Sequence, residues 1–282
     1  MPAYHGPDGT ALAYDLIGPR EHSHSPVIVL PGGPARDPVY LGDLGGLARN
    51  HPLALVHPRG VGRSPAPATD ADGSACEQAH DVDALRRALE LDRTVVLAHS
   101  AAARTAIGYA VAYPDRVAGL CFVTPSIGFL VGAATDAEAL IATREGEPTF
   151  DAAVRTLRSP QPDDDAAFTA WQRAAAPAGY AHWGDVQRQH SRTGRWSRSA
   201  GASFMQQAPP GLVDRLADVT APVLVVAGGQ DVFTGTAGPT RFAGMFPAGQ
   251  MAVIDDCGHY PWVERPTTFR SVVGDFLTLL RA

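Results

Sequence analysis

Short continuous apolar runs alternate along the chain with stretches whose apolar residues recur every three to four positions. That alternation predicts strands joined by helices. Val27-Ile28-Val29-Leu30, Leu53-Ala54-Leu55-Val56, Thr94 to Ala98, Ala118 to Val123 and Pro222 to Ala227 read as strands of a parallel sheet, buried on both faces. Residues 10–17 alternate instead, which predicts a half-exposed edge strand after the turn Pro7-Asp8-Gly9. From Cys76 to Leu91, Ala79, Val82, Leu85, Ala88 and Leu89 share one helical face, with Glu77, Asp81, Arg86 and Arg87 opposite. This is a crossover helix. A second helix is expected from Ala101 towards Tyr113, stopped by Pro114-Asp115-Arg116, and a third around Gly238 to Phe246. A strand over Met251 to Ile254 follows, then a closing helix over Thr267 to Leu280 with Phe269, Val272, Val273, Phe276, Leu279 and Leu280 on its inner side. The repeated strand–helix rhythm predicts an α/β fold, a mostly parallel sheet with helices on both faces.

The rhythm breaks between Pro125 and Gly211. Short helical patches there carry Trp171, Tyr180, Trp183, Trp196 and Phe204, and predict a mainly helical cap over residues 126–212, inserted between core segments 1–125 and 213–282. Asp163-Asp164-Asp165 reads as a solvated loop or helix start, and Arg188, Arg192, Arg195 and Arg198 as a solvated face.

The 282 residues suffice for one large core domain with an insertion; 45% are hydrophobic and 18% charged. No apolar run reaches the roughly 18 residues that would span a bilayer, so no membrane partner is expected. The first residues lack the basic and apolar regions of a secretory signal, which makes a cytoplasmic location the expectation. A net charge of −6 argues against nucleic acid as a partner. Cys76, Cys121 and Cys257 lack CxxC spacing and read as reduced thiols, not as a zinc site or a disulfide framework. His22 and His24, two loop histidines without further ligands, read as solvated. The Gly60-Val61-Gly62 loop has neither a GxGxxG nor a Gly-Lys-Ser/Thr sequence after it, so no phosphate or nucleotide cofactor is implied and no metal is expected. Oligomeric state is left open.

The chemistry centres on Val95-Val96-Leu97-Ala98-His99-Ser100-Ala101-Ala102-Ala103, a strand that ends in a serine and passes at once into a helix. A serine at such a corner has its hydroxyl lifted from the sheet edge, with a helix N-terminus behind it. Simple N-capping is the plainer reading of that serine. Two further groups stand at predicted strand ends: Asp231 after Gly228-Gly229-Gln230, and His259 after Asp255-Asp256-Cys257-Gly258. A serine hydroxyl attacks only when an imidazole takes its proton, and the imidazole needs a carboxylate to fix its tautomer. Ser100, Asp231 and His259 therefore form a candidate catalytic triad, with Asp255 and Asp256 as rival acids and His57 as a rival base.

These residues carry a family resemblance. The chain resembles the α/β-hydrolases, most closely the proline iminopeptidase group. Leu30-Pro31-Gly32-Gly33-Pro34 is similar to that group's His-Gly-Gly-Pro-Gly segment, and Pro58-Arg59-Gly60-Val61-Gly62-Arg63-Ser64 to its Asp-Gln-Arg-Gly-x-Gly-x-Ser; Tyr113 to Val117 and Gly258-His259 also fit. The resemblance implies an oxyanion hole made by the backbone N–H groups of Gly33 and Ala101. The departures bear on substrate. Gly-x-Ser-x-Gly is Ala98-His99-Ser100-Ala101-Ala102, and the cap's Trp-Glu pair, whose carboxylate holds a free amine in iminopeptidases, is Trp171-Gln172. A neutral amide does not balance an ammonium group as a carboxylate does.

The resulting expectation is a cofactor-free serine hydrolase for a small or medium apolar ester, lactone, thioester or amide, with Trp171, Gln172 and Trp183 binding the substrate. One alternative is a proline iminopeptidase in which Glu145, Glu147 or Asp185 replaces the missing glutamate. Another is a protein of this fold that binds a ligand or steers a rearrangement without hydrolysis.

Overall fold

Every residue of Val27–Leu30 (β3) and Leu53–Val56 (β4) is buried, as continuous apolar runs require when both faces of a strand are covered. The computed structural model describes residues 2–19, 25–132, 136–206 and 211–281. His22 and His24 lie outside the described residues. With β1 (Ala3–His5), β2 (Ala11–Ile17), β5 (Thr94–His99), β6 (Val117–Val123), β7 (Val223–Gly228) and β8 (Gly249–Ile254), the runs form an eight-stranded sheet in the order β1-β2-β4-β3-β5-β6-β7-β8. β1 pairs antiparallel with β2 and β2 antiparallel with β4; all later pairs are parallel. β1 has no counterpart in the sequence reading, because three residues are too few to display a period.

Helices α1 (Gln78–Ala88) and α2 (Ala103–Ala112) connect the central strands. Between β6 and β7 lies an insert with α3 (Gly128–Val131), α4 (Ala137–Ala142), α5 (Pro148–Leu157), α6 (Asp165–Ala175), α7 (Asp185–Ser191) and α8 (Arg198–Phe204). The chain ends through α9 (Ala237–Ala243), α10 (Pro261–Glu264) and α11 (Pro266–Leu279). Alternate residues of β3 face opposite cores. Ile28 and Leu30 join Leu85, Ile107 and Phe242 on one side, while Val27 and Val29 join Trp262, Phe269 and Phe276 on the other. Both faces of the central strands are thereby removed from water, while the edge strands stay partly exposed.

The structure departs from the periodicity in α1. Asp81 and Arg86, on the face expected to meet solvent, are buried. Asp81 accepts from Arg59 Nε at 2.7 Å, and Arg59 reaches Asp8 as well. Arg86 donates to Asp83 at 2.8 Å and to the carbonyl of Leu91. Glu77 and Arg87 of that face stay exposed, while ion pairing offsets the desolvation of Asp81 and Arg86, which hydrophobic patterning cannot foresee. The helix after Ser100 also opens differently, with a 3₁₀ turn over Ser100–Ala102 before α2.

Candidate active site

Ser100 sits at the C-terminal end of β5 in the left-handed region, with φ 53°. That conformation costs a residue with a β-carbon about 1–2 kcal/mol and persists only where the surroundings enforce it. Here they do. A β-carbon placed on Gly32 would lie 2.5 Å from the His99 carbonyl oxygen and 2.9 Å from Ser100 Cβ, so the glycine admits the sharp turn. Ser126 N donates to the Ser100 carbonyl at 3.1 Å.

His99, the residue inside the turn, carries a buried relay. Gly32 N–H donates to Tyr40 Oη at 2.8 Å, and Tyr40 Oη lies 2.7 Å from His99 Nδ1. His99 Nε2 in turn lies 3.1 Å from the His259 carbonyl. Burial holds the His99 pKa well below its ordinary value and raises that of Tyr40. Both are neutral, and the pattern assigns one set of protons: Tyr40 O–H donates to Nδ1, and His99 Nε2–H donates to His259.

Asp231 follows β7 and is fully buried. Its carboxylate accepts from Phe233 N at 2.9 Å and from Thr234 Oγ1 at 2.5 Å, and is 2.8 Å from His259 Nδ1. The acid is thus locked before it orients the imidazole. His259 follows β8 and is held through its backbone: its N–H donates to Gly179 at 2.8 Å and its carbonyl also accepts from Thr124 Oγ1 at 3.0 Å. The Phe233 ring stands edge-on to the imidazole, centroids 5.0 Å apart. No hydrogen bond joins Ser100 Oγ to the His259 ring among the described residues; the nearest tie is the one through His99. Catalytic hydrogen bonds in unliganded sites are often long and tighten on binding.

Four of the rival groups are engaged elsewhere. His57 Nε2 pairs with Asp15 at 3.0 Å, Asp256 faces Arg265 at 3.5 Å, Glu147 pairs with Arg144 at 2.8 Å and Asp185 with Arg188 at 2.7 Å.

A small cavity lies between the insert and the core, with room for little more than one water at about 20 Å³. Gln172 lines it. Trp171 and Trp183 do not: Trp171 stacks on Phe168 with its indole N–H on Ser159, and Trp183 packs on the Tyr180 ring. Helix α6 turns Gln172 inward and so carries its neighbour Trp171 about 100° away. The large lining side chains that the sequence reading passed over are Arg36, Phe233 and Tyr260. Phe233 and Tyr260 sit beside Asp231 and His259 in sequence, and Arg36 follows the Gly-Gly-Pro segment by two residues; those positions were the available signal.

Gly33, with φ 109°, and Ala101, buried in the first turn after the serine, occupy the two backbone positions where oxyanion donors are expected. A mostly parallel sheet carrying a strained serine corner at the end of β5, and a buried Asp–His pair after β7 and β8, is the architecture of an α/β hydrolase. A family model described as the alpha/beta hydrolase fold matches residues 25–266, and the chain belongs to that family.

Among curated relatives, a proline iminopeptidase from Heyndrickxia coagulans is 24% identical over 268 residues, covering 90% of each chain. A 2-hydroxy-6-oxononadienedioate/2-hydroxy-6-oxononatrienedioate hydrolase from Paraburkholderia xenovorans (strain LB400) is 26% identical over 210 residues, 73% of this chain and 70% of the relative. Among solved structures, an esterase from Rhodococcus sp. ECU1013 superimposes with a TM-score of 0.75 at 24% identity, covering 99% of this chain and 98% of its own. The protein is a hydrolase of this fold.

Proposed function

We propose that the protein is a cofactor-independent serine hydrolase that cleaves a small or medium ester, lactone, thioester or amide through an acyl-enzyme. The observation that carries this reading is Ser100 held at φ 53° at the end of β5, one residue from the His99 side chain that meets His259. The adjoining Asp231–His259 pair is oriented at 2.8 Å. Ser100 Oγ attacks the carbonyl carbon while His259 Nε2 takes its proton; Asp231 stabilises the imidazolium. The carbonyl oxygen becomes an oxyanion facing the N–H groups of Gly33 and Ala101. Collapse expels the leaving group with the proton from His259, and water repeats the cycle to release the acid. The insert between β6 and β7 acts as a cap that excludes water, which strengthens each electrostatic interaction in the site. The aromatic walls given by Trp196, Phe233 and Tyr260 suit an apolar substrate body.

The iminopeptidase alternative is favoured by the Heyndrickxia relative and opposed by the cavity, whose lining includes Gln172 and Arg36 and no carboxylate among the described residues. An N-terminal ammonium would meet a cation there.

The test is intact mass after incubation with a fluorophosphonate, for the native protein and Ser100→Ala in parallel. One adduct on the native protein, absent from the variant, is expected. A folded native protein without an adduct sinks the hydrolase mechanism and turns attention to ligand binding in the same cavity. Release of an N-terminal proline reporter faster than of simple esters would favour the iminopeptidase.

A further inference from the structure

Among the described residues with under 2% of their surface exposed, Arg36 is the largest, at 1%. A guanidinium stays charged at any ordinary pH, and its burial costs several kcal/mol unless a counter-charge is at hand. Among the described residues no carboxylate lies within 4.0 Å of it. Arg59 shows the contrast within the same chain: it is also buried and is clamped between Asp8 and Asp81.

What surrounds Arg36 is partial compensation. Its guanidinium lies 4.1 Å above the Tyr40 ring and 4.3 Å from that of Trp196. It donates to the carbonyls of His190 and Thr193 at 3.2 and 2.8 Å, and to Tyr260 Oη at 3.3 Å. Those contacts tie the insert to the core, and residues 35–37 pair with 195–197 along the same line. Yet Arg36 Nε is buried with no hydrogen-bond partner. A tether between two backbone carbonyls needs no net charge and no orphaned donor. A site that receives an anion needs both.

The position agrees. Arg36 lines the small cavity together with Gln172, Phe233 and Tyr260, and its Cβ would lie 2.6 Å from a β-carbon placed on Gly33. The cation therefore adjoins the loop that carries a proposed oxyanion donor, while Phe233 and Tyr260 lead to His259. We propose that Arg36 is a specificity residue that binds a carboxylate of the substrate, so that the natural substrate is an acid-bearing ester, lactone or thioester with its carboxylate a few bonds from the scissile carbonyl. The inference rests on the serine-hydrolase reading for its choice of substrate, while anion binding by Arg36 stands on its own. The cavity as it stands holds about one water, so the segment from His190 to Trp196 moves when the ligand enters, and a carboxylate then takes the place beside Nε.

Two measurements test this separately. The first is calorimetric titration of the Ser100→Ala protein with glutarate and succinate, and with diethyl glutarate as the neutral counterpart, which requires no turnover. The acids bind and the diester binds more weakly; adding Arg36→Gln to that protein lowers affinity for the acids by at least about tenfold, the order of a lost charge-assisted pair. Equal binding of acid and diester, no binding of either acid, or unchanged affinity after Arg36→Gln overturns the proposal.

The second is the ratio of kcat/KM for the 4-nitrophenyl monoester of glutaric acid to that for 4-nitrophenyl butyrate. The native enzyme prefers the anionic ester, Arg36→Gln brings the ratio towards one or below, and Arg36→Lys retains part of the preference. A purely structural arginine would depress both esters together and leave the ratio unchanged, which would sink the idea. Absence of a fluorophosphonate adduct, with acid binding still dependent on Arg36, would reject the hydrolase mechanism and leave the anion site standing.

Discussion

Single residues at this site are constrained by their neighbours before any substrate arrives. Asp231 has its two oxygens committed to Phe233 N–H, Thr234 Oγ1 and His259 Nδ1, which leaves the imidazole one orientation. Asp231→Asn would keep the shape and place an N–H donor opposite Nδ1–H, favouring the other tautomer. Ester hydrolysis by that variant is expected to fall about 10⁴-fold, the loss typical when a triad acid is made an amide. Circular dichroism should remain native, so that steady-state kinetics reads the tautomer alone. The placement of Ser100, Asp231 and His259 after strands was legible in the sequence, because the apolar run before each is continuous or nearly so. Arg36 was not, because nothing in the order Pro34-Ala35-Arg36-Asp37 tells whether an arginine finds a carboxylate.

At the scale of elements, Glu264 joins α10 to the insert. Buried among backbone groups, its Oε2 accepts from Gly258 N at 2.7 Å and its Oε1 from Ala181 N at 2.8 Å and His182 N at 3.2 Å. It thereby holds the residue before His259 and the segment that follows Gly179, whose carbonyl takes the His259 N–H. Burial pushes its pKa up to about 7, with the three N–H donors opposing the rise. The sign follows from that direction. The folded state holds a proton that the unfolded chain releases near the ordinary carboxylate pKa, so this contribution to stability is full below that value and is lost as pH rises through about 7. The melting temperature is therefore expected to decline between pH 5 and 8, and Glu264→Gln to flatten that slope. An identical slope in the variant would assign the pH dependence to another group. Gln also turns an amide donor towards a backbone N–H, at a cost of about 1–3 kcal/mol measurable by urea denaturation. The helix periods that located α1, α2 and α11 say nothing of such a tie, because it links segments more than eighty residues apart.

At the scale of the whole molecule, stability rests on central strands covered on both faces. Phe122, fully buried on β6, packs edge-on to Phe242 of α9 with centroids 4.9 Å apart. Phe122→Ala should cost about 3–5 kcal/mol by equilibrium unfolding, through lost burial and the cavity left behind. The exposed Arg158–Glu138 pair of the insert is expected to contribute under about 1 kcal/mol. The core therefore outweighs the surface in holding the strand ends at which the site is built.

What the sequence by itself determined was local and periodic. Runs of four apolar residues fix buried strands, and three-to-four spacing fixes amphipathic helices. A serine, an acid and a histidine at the ends of β5, β7 and β8 mark a candidate nucleophilic site, because parallel strands of one sheet bring their C-terminal ends to the same edge. What only the tertiary structure decided was which polar groups are paired. Asp81 and Arg86 were expected at the surface and are buried in ion pairs, Trp171 faces away from the cavity that Gln172 lines, and Arg36 is enclosed without a carboxylate. The physical reason is range. Backbone periodicity is set by neighbours a few residues apart, whereas the worth of a charge depends on what folding brings beside it from anywhere in the chain.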